Sequence, residues 1–448
     1  MQKIVIDRFR QVSHAEIELR DFLFLIGEQA SGKSTIVKLV YFFKSLKQDY
    51  LSLLNGEKFP SDKEMKNQFS RNIQNKFNIY FGFTSLLDKD FSVTFYFSEE
   101  NNYSVTLSKG NALQIRFSSD FWHHLSSQTA LLSKSIKSLS ERAQVSPKTN
   151  FTVKERLRNT IGQKKQETAN LVFCDDRDCL FVPAGRNITV SYPEQFQLLF
   201  FGELQTAMAA KKESNTIDLT LIKDFVSYSK LLSDYFSGWQ EQARQTPFQQ
   251  RVQETVRGIL HGRYRNEDGY EKIFYSDSEF TPLSIASSGQ QESIRIIQDA
   301  LYILTENFKA SRIIEEPETH LFPTAQKLLI QLLIMVANKT CSQVIITTHS
   351  PHVQATFNNL LYYTRILQDN PEKREEIEER FRTKGFDVNK AERLNVLAEK
   401  FQAYALRPGD EVYCHSIVED ANQLIGENFI DEATEEIYDE FDFLYSLL

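Results

Sequence analysis

An α/β fold, with a mixed central sheet, a separate antiparallel β-subdomain and a helical insertion, is what this 448-residue sequence predicts. Three observations predict it. "FLFLIGEQASGKSTIVKLVYFF" runs from an apolar strand through a Gly/Ser loop into apolar residues at helical spacing. "RIIEE" and "SQVIITTHS" are short β-branched runs, each followed by a helical pattern. "FSVTFYFS", "YSVTLS" and "LQIRFS" follow one another with turn-forming "EENN" and "KGN" between them, the pattern of antiparallel strands.

The elements follow in order. "KIVIDRF", "AEIEL" and "FLFLIG" are three strands, and a helix follows the last. Residues 46–75 are polar, loop or helix, and "FNIYFGF" is the first of the antiparallel strands. Residues 119–170 are helix-compatible and rich in Ser, Lys and Arg. "CLFV" is a strand that opens into the loop "FVPAGRN", and 195–260 read as helices. "GILHGRYRNEDGYEKIFYSD" is a hairpin with "NEDG" at its tip. The stretch 369–401 is a charged helical excursion, and "IDEATEEIYDEFDFLYSLL" an acidic amphipathic helix. The chain therefore divides at 1–118, 119–260, 261–365 and 366–448, the last a charged helical region.

Hydrophobic residues are 41% and charged residues 25%, the composition of a soluble globular protein. A net charge of −8 supplies no global attraction to nucleic acid, so any such contact needs a local basic patch. "KTNFTVKERLRNTIGQKKQ" offers one, with Lys148, Lys154, Arg156, Arg158, Lys164 and Lys165; a solvated helical face is the plain alternative. Four scattered cysteines suit a reducing cytoplasm, and "CDDRDC" reads as an acidic turn more readily than as a metal site. The N-terminus has no signal-peptide pattern and no apolar run reaches membrane-spanning length, so a cytoplasmic protein without membrane contact is expected.

Four motifs carry chemistry. "GEQASGKST" fits G-x-x-x-x-G-K-[ST] between a strand and a helix, the context a phosphate-binding loop requires. Glycines let backbone N–H groups close around phosphate, Lys33 reaches the terminal phosphates, and the Ser34 hydroxyl suits Mg²⁺. Gly27, Glu28, Ala30, Ser31, Gly32, Lys33, Ser34 and Thr35 are accordingly assigned to ATP binding. "IIEEPETH" ends a strand in two adjacent carboxylates, which repel unless something positive is close. Glu315 suits a second Mg²⁺ ligand and Glu316 the general base that polarises the attacking water, with Mg²⁺ and Lys33 nearby. His349 ends a third strand, placed to sense the γ-phosphate, and Ser350 and Pro351 suit the N-cap and first position of the next helix. "SSGQ", Ser287, Ser288, Gly289 and Gln290, opens an amphipathic helix. It is either a plain cap or a second anion-binding helix end, which one P-loop leaves for another subunit's nucleotide. Arg186 in "PAGRN" either holds an anion and braces the nucleotide site or pairs with the acidic stretch just before it.

These pieces, in this order, resemble the ATP-binding-cassette ATPases of the SMC and OLD (overcoming lysogenization defect) class. "GEQASGKS" is similar to the Walker A motif, "SSGQQ" to the signature, "RIIEEPETHLFP" to the Walker B and D-loop, and "TTHS" to the switch histidine. The phrase E-P-E-x-H-L-x-P separates the chain from transporter cassettes. The resemblance covers about residues 1–115 and 255–365 and implies an ABC-type P-loop head whose halves are 1–118 and 261–365. Glu315 stands where Asp is usual, and S-S-G-Q where S-G-G-Q is. The Toprim nuclease domain of OLD proteins has no counterpart in the residues after His349. The resemblance thus implies an Mg²⁺-dependent ATPase that forms ATP-sandwiched homodimers or higher oligomers. It would serve as sensor or scaffold of a bacterial anti-phage system, Septu-like or PARIS-like, beside a separate nuclease or toxin. The alternative is a DNA repair or recombination ATPase that binds duplex DNA directly.

Overall fold

The computed structural model describes residues 2–55, 59–82, 90–98, 100, 102–110, 112–144, 151–191, 217–237, 246–267, 269–384, 395–410, 412–426, 428, 438–443 and 445. Lys148, residues 195–216 of the helical stretch and most of the acidic C-terminal helix lie outside them. The chain forms two compact units, Met1–Leu19 with Lys38–Cys179, and Arg20–Val37 with Leu180–Leu448. No helix among the described residues is long and apolar enough to cross a membrane.

The first unit is built on an antiparallel sheet. Strands β1 (Gln2–Phe9) and β2 (Val12–Leu19) form a hairpin, and β4 (Ser92–Tyr96), β5 (Ser104–Lys109) and β6 (Leu113–Phe117) extend it in the order β2-β1-β4-β5-β6. Ile4, Ile6, Val93 and Phe95 are fully buried and alternate with partly exposed neighbours, so a period of two gives the sheet a single apolar face. Helices α1 (Lys33–Leu53), α2 (Asp62–Phe81), α3 (Ser119–Gln144) and α4 (Phe151–Phe173) complete the unit, α1 beginning in the other. The core is aromatic: Phe43 stacks on Phe95 at 5.2 Å, and Phe9, Phe42, Phe77 and Phe81 meet edge-on or tilted.

One expected strand is a helix. "FNIYF" forms the last turns of α2, because the buried residues Met65, Phe69, Ile73, Phe77 and Phe81 recur every fourth position. The helix start is written in Ser61, whose N–H and hydroxyl both donate to Glu64, at 2.9 and 2.7 Å. The local aromatic content favoured a strand; the longer helical period overrode it.

The second unit carries a six-stranded sheet in the order β14-β13-β3-β12-β11-β7. Its strands are β3 (Phe22–Gly27), β7 (Asp178–Val182), β11 (Ala310–Glu315), β12 (Gln343–Thr348), β13 (Phe401–Leu406) and β14 (Cys414–Ser416). β13, β3, β12 and β11 run parallel, and every residue of β3, β11 and β12 is buried, as helices on both faces require. The described helices are α5 (Ile188–Ser191), α6 (Ile217–Tyr235), α7 (Pro247–Leu260), α8 (Ser288–Glu306), α9 (Pro323–Thr340), α10 (Pro351–Asp369) and α11 (Arg374–Thr383). Leu329, Ile334, Ile294, Ile346 and Phe24 belong to one apolar core. The expected hairpin is β8 (Arg263–Glu267) and β9 (Tyr270–Phe274), with Gly269 at φ 84° in its tip and β10 (Phe280–Pro282) beside β9. The C-terminal region departs from the helical expectation, since β13 lies directly beside the P-loop strand. Its short, largely buried run "FQAYAL" hides among charged neighbours.

In the first unit the acidic turn after α4 holds two buried lysines of α1. Lys44 Nζ donates to Asp175 Oδ2 at 2.7 Å and to Gln2 Oε1 at 2.9 Å. Lys47 Nζ donates to the carbonyls of Asp175 and Arg177 at 2.9 and 2.8 Å. Burial pushes the Asp175 carboxyl up, but Lys44 and Lys47 outweigh it and hold it below the ordinary range. Asp175→Ala therefore leaves Lys44 buried without its carboxylate and should destabilise this unit by about 3 kcal/mol in urea unfolding near neutral pH. A carboxyl depressed in the folded state stabilises above its unfolded pKa and ceases to as pH falls through the folded one. The gap between wild type and Asp175→Ala should accordingly shrink on acidification.

Candidate functional site

The sheet register lines up the strand ends. Leu406 lies opposite Gly27, Thr348 opposite Ile26, and Glu315 opposite Thr347. Glu28, Glu316 and His349 therefore leave the sheet along its carboxyl edge, where ligands of open α/β sheets bind.

The loop after β3 is cramped. A Cβ at Gly27 would overlap Ser31 Oγ and stand 3.2 Å from the Leu406 carbonyl, so a side chain there would force Ser31 to move. Ala30 and Gly32 take φ values of 63° and 94°, which turn the chain into α1. Lys33 Nζ donates to the carbonyls of Gly27 and Glu28, at 2.5 and 2.8 Å. Burial lowers the Lys33 pKa, opposed by the charges of Glu316, Glu318 and Glu28. Thr35 is buried and Ser34 is exposed in the first turn of α1. The Tyr413 hydroxyl, from the turn between β13 and β14, donates to the Ser31 carbonyl.

The adjacent acids have a cation, and it is Arg186. This side chain is fully buried. Its guanidinium donates to the carbonyls of Pro183, Glu315, Glu316 and Glu292 at 2.9–3.1 Å, and Nε lies 3.4 Å from the Glu292 carboxylate. Arg186 thus braces the loop that carries the glutamates through its main chain, one of the two roles its position in "PAGRN" suggests. Glu315 is buried, and its Oε2 accepts from the Ala184 N–H at 3.4 Å. Glu316 has φ 43°, its N–H donates to the Thr347 carbonyl at 2.9 Å, and its carboxylate meets His349 Nδ1 at 3.5 Å.

A third acid, absent from the sequence assignment, completes the group. Glu318 is only 5% exposed, and one oxygen accepts both the Thr348 hydroxyl, at 2.5 Å, and the His349 N–H, at 3.2 Å. Burial raises its pKa, against those hydrogen bonds. The E-P-E spacing hinted at it. Tyr413, 382 residues from Ser31, left no such signal. Ser350 caps α10 as expected, accepting from the N–H groups of His352 and Val353 and donating to Gln326 at 2.6 Å.

Ser287 and Ser288 are exposed at the start of α8. Gln290 binds within its own chain: its Oε1 accepts from the Ser287 N–H and hydroxyl, and its Nε2 donates to the Leu260 carbonyl at 2.7 Å. Gly289 is needed here, since a Cβ would lie 2.7 Å from the His320 carbonyl. The start of α8 therefore packs against the loop that carries Glu316 and Glu318.

The donor set fits a nucleoside triphosphate with Mg²⁺. Among the described residues Ser31 Oγ is buried in the P-loop with no hydrogen-bond partner. The glycine cradle, the Lys33 ammonium, the exposed Ser34 hydroxyl and the clustered carboxylates supply what phosphate and a hard divalent cation need.

The AAA_15 family, described as an AAA ATPase domain, matches residues 1–353. Among solved structures, the crystal structure of the SmcHead bound to the C-winged helix domain of ScpA is 11% identical, with a TM-score of 0.37 over 79% of this chain and 90% of that one. The Smc head domain with an extended coiled coil bound to the C-terminal domain of ScpA, derived from Pyrococcus furiosus, is 13% identical, with a TM-score of 0.33 over 80% and 92%. The SMC head domain from Thermotoga maritima is 12% identical, with a TM-score of 0.31 over 79% and 90%. Comparison with curated proteins gives no match.

Arg186→Ala removes the fork between three segments and takes the guanidinium away from the buried Glu292 carboxylate. It should destabilise the second unit by about 3–5 kcal/mol in chemical unfolding. Arg186→Lys should recover little, because an ammonium cannot reach four carbonyls in the guanidinium's plane.

Proposed function

The chain belongs to the AAA ATPase domain family, and on that premise we propose that it is an Mg²⁺-dependent ATP hydrolase that works as a nucleotide-joined oligomer. The observation that carries this reading is the meeting of Lys33, Glu316 and His349 at one sheet edge, with the His349 ring 3.5 Å from the Glu316 carboxylate. The P-loop N–H groups and Lys33 hold the triphosphate, and Ser34 and Glu315 would hold the Mg²⁺. When bound, the ion neutralises charge on the phosphate oxygens. Glu316 accepts the proton of the water that attacks the γ-phosphorus, and ADP leaves with the electron pair of the broken P–O bond. His349 senses the γ-phosphate.

The exposed start of α8 supports the oligomer. Ser287 and Ser288 present a helix end to solvent, and Ile285 and Phe322 beside it are 73% and 70% exposed. A second copy that brings its own triphosphate to this surface would cover both features. Control of a separate nuclease or toxin in anti-phage defence rests on the E-P-E-x-H-L-x-P phrase. The second reading is direct binding of duplex DNA, favoured by the exposed Arg156 and Arg158 on α4. Salt-dependent affinity for duplex DNA, lost in the Arg156→Ala/Arg158→Ala variant, would favour it.

Two results test the enzyme. Lys33→Ala should abolish ATP binding or hydrolysis without unfolding the chain, read by calorimetry beside a melting curve. Glu316→Gln should keep ATP binding by calorimetry and lose about 10²-fold or more of kcat. Normal turnover in both variants would sink the assignment. The oligomer has a separate test, in which Lys33→Ala is mixed with Ser287→Arg. Each alone should be nearly inactive, but a mixed dimer holds one site with both halves intact, so activity should partly return. A mixture that stays inactive while heterodimers form would leave "SSGQ" as a helix cap.

A further inference from the structure

The two glutamates of "EPE" both address His349, but at different atoms. Glu316 meets the imidazole at 3.5 Å. Glu318 takes the main chain: its Oε1 accepts the His349 N–H at 3.2 Å and the Thr348 hydroxyl at 2.5 Å. Thr348 Oγ1 in turn accepts the Ser350 N–H at 3.0 Å. Three consecutive residues at the end of β12 therefore hang, directly or through one hydroxyl, on a single carboxylate oxygen. A carboxylate this deeply buried is unfavourable unless it is hydrogen-bonded, and an acid with no task here would be readily replaced by an apolar side chain. Its second oxygen has no hydrogen-bond partner among the described residues, and its charge reaches both Lys33 and Arg186.

We infer that Glu318 is the positioning residue of the hydrolytic site: it fixes the backbone at 348–350 so that the His349 ring stands against Glu316. The inference rests on the ATPase reading and adds to it a residue that acts through its bonds to the Thr348 hydroxyl and the His349 N–H. The geometry explains the spacing. Glu316, with φ 43°, and Pro317 turn the chain off the end of β11. The next side chain then returns beneath the neighbouring strand end, where Thr348 and His349 lie. Glutamate at 318 thereby ties the end of β11 to the end of β12, one loop carrying the base and the other the sensor.

Steady-state ATP hydrolysis, nucleotide affinity and amide hydrogen exchange of wild type, Glu318→Ala, Glu318→Gln and Thr348→Val test it. Glu318→Ala should lower kcat about 10- to 100-fold with little change in KM, because a loosened His349 affects the chemical step more than binding. Glu318→Gln keeps an oxygen that accepts both bonds and should recover most of kcat. Thr348→Val removes one donor to that oxygen and should lower kcat by an intermediate factor. The His349 and Ser350 amides should exchange faster in Glu318→Ala and not in Glu318→Gln. A glutamine variant as slow as the alanine variant would overturn the inference, since the negative charge beside Lys33 and Arg186 would then be what matters. Unchanged exchange at 349–350 in Glu318→Ala would overturn it as well. Should the alanine variant fail to fold, Glu318→Gln and Thr348→Val decide by the same readouts. A wild type that binds ATP but never turns it over would sink the ATPase reading instead, and amide exchange would still judge the positioning.

Discussion

One buried guanidinium organises the second unit. Arg186 comes from the loop after an edge strand, and its donors go to main-chain carbonyls of its own loop, of the helix opened by "SSGQ" and of the turn after β11. Carbonyls buried away from water need partners, and a planar fork with five N–H groups can satisfy several at once where an ammonium could not. Its positive charge also lies among Glu292, Glu315, Glu316 and Glu318. The two adjacent acids at the strand end therefore lie in the field of a cation built into the fold, and Glu316 also in that of Lys33.

Around that brace the three acids of "IIEEPETH" divide by environment. Glu315 is buried beside the Ala184 N–H. Glu316 is partly exposed, faces His349 and has an unusual backbone, the kind of local strain that persists where the surroundings over-determine it. Glu318 is buried, raised in pKa and hydrogen-bonded to the neighbouring strand end. Identical side-chain chemistry thus gives three different groups within four residues. What separates them is how much water each retains and which N–H or O–H group lies within reach. The P-loop lysine, itself buried and depressed in pKa, ties the set to the other side of the sheet edge.

Much of this was legible in the sequence, and the reason is locality. The P-loop, the strand ending in Glu315 and Glu316, the strand ending at His349, the Ser350 cap and the hairpin are each written in fewer than about 20 consecutive residues. Their short-range patterns agree with the final fold, as they should in a minimally frustrated chain. Where local patterns competed, local reading failed. "FNIYF" carries strand-forming residues but also completes a helical stripe that began at Met65, and burial of Phe69, Phe77 and Phe81 among other rings settled it as helix.

The sequence by itself determined the chemistry on offer: a glycine-rich loop between strand and helix, paired acids, a strand-end histidine and a second helix start that carries two serines. Only the tertiary structure decided how these are held. It set β13 beside β3 from the far end of the chain, brought Tyr413 onto the Ser31 carbonyl, sank Arg186 beneath the glutamates and turned Glu318 toward His349. Each of these contacts joins residues far apart in the chain, and no periodicity records which residue meets which. Their partners are chosen by which buried polar groups the packed sheet leaves to be satisfied, and that is known only once the strands have found their order.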